Sequence, residues 1–179
     1  MAHLALRPLT LAVLGMLAAC SSGGESAAPP SEAAPDVAAA PAPAGPAAID
    51  SAKLANPCLF KNEDVAKVLG ASVSKTEPES MGTMMGCSYR AGDASLRLNL
   101  IVHDPVYFEK AIAATRGTRP GEKTDIAGDA DKAWWQTGEG TGVTLHYYRQ
   151  NVEVEVTTTG LGDDPAKLKP LLQALPRVP

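Results

Sequence analysis

Met81, Met84, Met85 and Cys87 fall within a single short run, and soft sulfur atoms at that density suit Cu(I). This is the sharpest metal candidate in the chain, a copper-binding site built on Met81, Met84 and Met85. Two considerations weigh against it: Cys87 is better used in a disulfide, and methionine also fills irregular gaps in a core. His103 and His146 are too few and too separated to nominate a zinc site, which usually takes three or four ligands. Trp134-Trp135 points towards binding instead. Neighbours in a strand leave on opposite faces, so one ring can enter the core while the other meets solvent or a partner. Tyr148 could extend that aromatic patch, and exposed aromatics are enriched at contact sites. The competing expectation is that a helix covers the second ring.

Catalytic motifs are missing from the sequence. It holds no nucleophile elbow, no His-Glu-x-x-His and no paired Cys-x-x-Cys zinc spacing. Gly138-x-Gly140-x-Gly142 imitates a phosphate loop only in composition. It lacks the lysine and the following helix, and reads as a turn before a strand. The expectation is a protein that binds rather than turns over, with no cofactor.

The elements that must position these residues lie between 50 and 179, a common size for one domain with a real core. All eight aromatic residues fall there, and 15 Lys+Arg against 17 Asp+Glu give a net charge of minus 2. No block of like charge argues for nucleic acid. A short helix follows Cys58, with Asn62 as its cap, Glu63 and Asp64 in its first turn and Gly70 as its stop. Val73 belongs to one strand and Cys87-Ser88-Tyr89 to another. Leu96, Leu98, Leu100 and Val102 alternate with their neighbours as a half-buried strand. Asp104-Pro105 opens a second helix that runs to about Arg116, with Gly117 as its stop and Phe108 and Ile112 on one face.

Val143, Leu145 and Tyr147, then Val152, Val154 and Val156, alternate across the clearest hairpin in the chain. With Gln150-Asn151 as its turn, Tyr147 pairs with Val154 and Leu145 with Val156 on the core face. The same register sets His146 opposite Glu155 on the other face, where a solvated pair is expected. A third helix starts near Asp164 with Leu168, Leu171, Leu172 and Leu175 at helical spacing, and Pro170 should kink it. Helix, strands, helix, strands, helix reads as α+β, an antiparallel sheet with two to three helices packed on it.

The first 49 residues have a different character. Arg7, an apolar run from Leu9 to Ala19 and small residues before a cut site are the parts of a secretory signal peptide, and the run is too short to span a bilayer. Leu17-Ala18-Ala19-Cys20 resembles the lipobox of bacterial lipoproteins, in which the cysteine is lipidated; the alternative is a plain signal peptide with a stray cysteine. The resemblance implies a signal peptide over 1–19 and a membrane anchor at Cys20. Ser21, which is not the aspartate that commonly retains lipoproteins at the inner membrane, implies the outer membrane, facing the periplasm, in a cell with two membranes. From 21 to 49, 24 of 29 residues are Ala, Pro, Ser or Gly, too few apolar groups to offset the entropy of ordering. Residues 20–49 therefore read as the lipidated cysteine and a disordered tether, reaching between about 30 Å as a coil and about 90 Å extended. With Cys20 lipidated, Cys58 and Cys87 remain, and an exported pair should bond, two unpaired structural thiols being the alternative.

Pro57-Cys58, the acidic-led helix ending at Gly70, and Cys87-Ser88-Tyr89 resemble a group of small bacterial envelope lipoproteins of unknown function. Ile126-Ala127-Gly128-Asp129 with Ala133-Trp134 is similar to a second patch in those proteins. The resemblance spans most of residues 56–158. It implies a Cys58–Cys87 disulfide, a compact α+β fold of the PsbP type and no known catalytic residues. The expected function is a lipid-anchored envelope protein whose domain binds a protein partner or small ligand, with periplasmic copper binding as the alternative.

Overall fold

The computed structural model describes residues 45–138, 142–162 and 164–179. The signal peptide over 1–19, Cys20, most of the tether and Gly140 lie outside the described residues. Seven strands form one sheet: β1 (Lys75–Met81), β2 (Met84–Ala91), β3 (Ala94–Val102), β4 (Glu122–Asp125), β5 (Trp134–Gly138), β6 (Gly142–Arg149) and β7 (Val152–Thr159). Every pairing is antiparallel, in the order β1-β2-β3-β7-β6-β5-β4. With α1 (Asn62–Leu69), α2 (Phe108–Thr118) and α3 (Pro165–Gln173), this is an α+β fold. No helix among the described residues is long and apolar enough to cross a membrane.

Alternation decides what each face of the sheet meets. Leu96, Leu98 and Leu100 of β3, Val152, Val154 and Val156 of β7, and Val143, Leu145 and Tyr147 of β6 are buried on one face. Against them pack Val65, Val68 and Leu69 of α1 with Leu168 and Leu172 of α3, forming the main core. Fully burying each such side chain contributes roughly 1.5–3 kcal/mol. The hairpin has the expected register, Tyr147 against Val154, Leu145 against Val156 and His146 against Glu155. Its turn holds Gln150 at φ 53°.

The opposite face is covered over part of its width by α2, through Phe108 and Ile112 on Trp134 and Tyr148. The helix opens at Asp104-Pro105 as expected, in a 3-10 turn with Asp104 Oδ1 accepting from the Val106 amide at 2.9 Å. Its end differs from the expectation. Gly117 is an ordinary helical residue, and the chain leaves the helix only after Thr118. Pro120 is the reason: a proline disfavours helical backbone in the residue before it, and Arg119 is extended at φ −69°, ψ 139°.

Two smaller expectations are also corrected. Asn62 is the first helical residue rather than the cap, and its Oδ1 accepts from the Thr76 hydroxyl at 3.1 Å. Val73 precedes β1 instead of belonging to it. Gly70 does stop α1 at φ 71°, and α3 does start next to Asp164, whose side chain caps it by accepting from the Ala166 amide. Pro78 sits in β1 without harm, because an edge strand does not need every N–H.

Candidate functional site

The face beneath α2 is a buried ionic and aromatic cluster. One cross-strand row runs Glu79, Gly86, Asn99, Glu155, His146, Trp134 and Asp125, one residue from each strand. Glu153, His146 and Glu155 on that face are buried, so the solvated pair expected at His146 and Glu155 is not what forms. The physical reason is the cover of α2 and of the extended Arg119 that follows it.

Glu153 is the hub. His103 Nε2 lies 3.0 Å from its Oε2, and Arg119 Nη2 donates to its Oε1 at 3.3 Å. The same Arg119 nitrogen pairs with Glu155, which also accepts from Asn99 Nδ2 at 3.4 Å. His146 Nδ1 stands 3.8 Å from Glu153 Oε1, beyond hydrogen-bond range, and has no partner. Burial holds the His146 ring below the usual imidazole range, and hence neutral. Burial alone would push the Glu153 carboxyl up; its hydrogen bond with His103 and the Arg119 charge help to hold it below its ordinary value.

The tautomer of His146 follows from its surroundings. Gln136 Nε2 donates to the Pro120 carbonyl at 3.0 Å, which turns its Oε1 towards His146 Nε2, also at 3.0 Å. Oε1 can only accept, so Nε2 carries the proton and Nδ1 presents a lone pair towards Glu153. Among the described residues, His146, Glu153 and Glu155 each offer a ligand atom, and these atoms lie within 4.8 Å of one another.

Both tryptophans are buried. Trp135 is 6 % exposed in the main core with Lys169 of α3 over its ring, and Trp134 is 0 % exposed on the other face. Trp134 donates Nε1–H to the Tyr148 hydroxyl at 3.0 Å, and Tyr148, 7 % exposed, meets Phe108 edge to face. The aromatic patch expected at Trp134, Trp135 and Tyr148 is therefore corrected: helices lie on both faces of β5, and each ring is packing.

The sulfur run is divided differently. Cys58 and Cys87 are joined, with Sγ–Sγ 2.08 Å, so Cys87 offers no thiolate. Met84 and Met85 are neighbours in β2 and leave on opposite faces, Met85 packing against the main core; Met81 ends β1 opposite Met84. Met84 and Met85 both reach the rim of a hollow of about 210 Å³, which Glu79, Gly86, Arg97 and Asn99 also line. Glu79 and Arg97 pair across it. Asn99 belongs to both places, lining the hollow and donating to Glu155.

Glu153, Arg119 and Gln136 carry no motif, and sequence reasoning missed them. The available signal was Glu153 diagonal to His146 in the hairpin, a neighbour within side-chain reach. Comparison with protein-family models, with curated proteins and with solved structures returns no match for this chain.

Proposed function

We propose that this is a lipid-anchored protein of the bacterial envelope whose domain binds a partner or small ligand without catalysis. The observation that carries the binding reading is the hollow at Gly86. Gly86 gives the hollow a backbone wall, and around it Arg97, Glu79 and Asn99 offer a cation, an anion and an amide beside the Met84 thioether. That donor set suits a small polar ligand or an extended polar segment of a partner. In the cluster beside it Glu153 and Glu155 are buried and paired with Arg119, which does not offer a substrate an open approach.

Location rests on cysteine arithmetic. Three cysteines with Cys58 and Cys87 paired leave Cys20, at the end of the lipobox-like Leu17-Ala18-Ala19. A disulfide fits an oxidising compartment. The copper alternative has only thioethers left to draw on, since Cys87 is bonded.

Native mass spectrometry of the full chain, purified from envelopes without reductant, tests the binding reading. The expected result is a retained small molecule or partner that is lost in Arg97→Ala; retention unchanged in that variant rejects the hollow as the site. Cys20→Ser tests the anchor. It should move the protein from the membrane to the soluble fraction and abolish incorporation of labelled palmitate, and unchanged fractionation rejects lipidation.

A further inference from the structure

We propose that His146, Glu153 and Glu155 form a binding site for one divalent first-row transition ion of the Zn2+ class, closed by Arg119. The site adjoins the hollow through Asn99 but does not depend on a guest bound there. Three observations carry it.

The first is the orphaned nitrogen. His146 Nδ1 is fully buried, has no hydrogen-bond partner, and faces a carboxylate oxygen 3.8 Å away; with Nε2–H given to Gln136, the neutral ring turns a lone pair to that oxygen. A lone pair facing an anion is repulsive unless a cation stands between them. Bonds of about 2.0–2.2 Å to nitrogen and to oxygen span that separation with a bent angle at the ion.

The second is the support behind each ligand. Metal-bound histidines donate their other ring N–H to a fixed acceptor, and metal-bound carboxylates are themselves hydrogen-bonded. Here His146 Nε2–H goes to Gln136 Oε1, Glu153 is met by His103, and Glu155 accepts from Asn99. One nitrogen and two carboxylates favour an ion of intermediate softness over Cu(I).

The third is the imperfect fit of Arg119. It holds both carboxylates through a single nitrogen, Nη2, while its buried Nε has no partner. A guanidinium binds carboxylate best through two parallel bonds, which this geometry does not supply. One guanidinium leaves the two carboxylates a formal charge of minus one, whereas a divalent ion that displaces Arg119 balances both. Arg119 follows the last residue of α2, and its side chain keeps 22 % exposure, so it can swing outward and admit an ion.

The test is titration of the full chain, stripped by a chelator, with Co2+ as a spectroscopic stand-in and then with Zn2+ in competition. One Co2+ per chain is expected, with visible d–d absorption that Zn2+ displaces. Gln136→Met should weaken binding about 10–100-fold by releasing the His146 ring, and His146→Gln should abolish the band. Arg119→Gln should tighten binding by about tenfold or more, because it removes the competing cation. The gain counts only where the stoichiometry and the d–d band of the wild type are kept, since an unfolded chain can also bind metal. Absence of a band in the wild type overturns the site, and binding seen only in Arg119→Gln also overturns it, making Arg119 the resident cation. Affinity unchanged in His146→Gln places the ion elsewhere. If Arg119→Gln does not fold, equal Co2+ affinity in the wild type and Gln136→Met overturns the proposal.

Discussion

Trp134 and His146 lie face to face across β5 and β6, their ring centroids 3.9 Å apart and their planes 6° from parallel. The indole closes one side of the buried imidazole, and Arg116 lies over the indole at 5.1 Å. Trp134 is therefore both a packing residue and the wall that keeps water from His146. Trp134→Ala should cost about 3–5 kcal/mol, read from the urea midpoint. Tyr148→Phe leaves the Trp134 Nε1–H without its acceptor and should cost about 1–3 kcal/mol. If Trp134→Ala proves as mild as a surface substitution, the packing of Phe108 and Ile112 on Trp134 and Tyr148 does not hold α2 to the sheet.

The Cys58–Cys87 bond closes a loop spanning 29 positions and ties the segment before α1 to the middle of β2. In the chain-entropy picture that loop contributes roughly 3.5 kcal/mol. Cys87→Ser, or unfolding in a thiol reductant, should lower stability by about that amount. A uniform rise in exchange of the slowest core amides would match the chain-entropy account; a rise confined to β1, β2 and α1 would show that the bond acts locally instead.

The hairpin of β6 and β7 was legible because two alternating runs flank a two-residue turn, which pins Tyr147 opposite Val154 without any tertiary information. Main-core residues such as Leu96, Leu98 and Leu100 were legible for the same reason. The outward face was not. His146, Glu153 and Glu155 alternate in the same way whether water or a helix covers them, and the stripe of Phe108 and Ile112 does not say where α2 will lie. His103 and His146 looked too distant to cooperate. Pairing of β3 with β7 sets Ile101 opposite Glu153 and brings His103 beside it, and strand order is not written in local periodicity. Arg119 reaches the carboxylates because Pro120 extends the backbone there, a local rule whose consequence depends on the same strand order.

Gly86 is glycine for want of space on the strand. A Cβ there would stand 2.8 Å from the Leu98 carbonyl oxygen and 3.0 Å from Asn99 Oδ1. The first contact is with backbone, which cannot rotate aside. Gly86→Ala should therefore destabilise by about 1–3 kcal/mol, and Gly86→Val by more, while filling the hollow. Thermal unfolding of the two variants checks the order. A neutral Gly86→Val would mean that β2 and β3 part easily at this point.

Tyr147 sets an alkaline limit on stability. Its ring is in the main core, its hydroxyl accepts from the Val178 amide at 3.1 Å, and Arg177 lies over the ring at 4.4 Å. Burial pushes the phenol up to about 12, above the 10.0 of a free tyrosine, in spite of that amide and that charge. Burial also raises Tyr89 and Tyr148. A group whose pKa is raised on folding favours the fold while it is protonated, so the contribution is complete below pH 10 and is lost as the pH climbs to about 12. For Tyr147 the loss is about 2–3 kcal/mol across that window. Urea midpoints measured from pH 9 upward should fall steeply above pH 10, and phenolate absorbance should grow with unfolding rather than ahead of it. Tyr147→Phe should begin less stable, by about 1 kcal/mol for the lost Val178 contact, and then decline less steeply. A parallel decline in wild type and variant would show that Tyr147 ionises without opening the core.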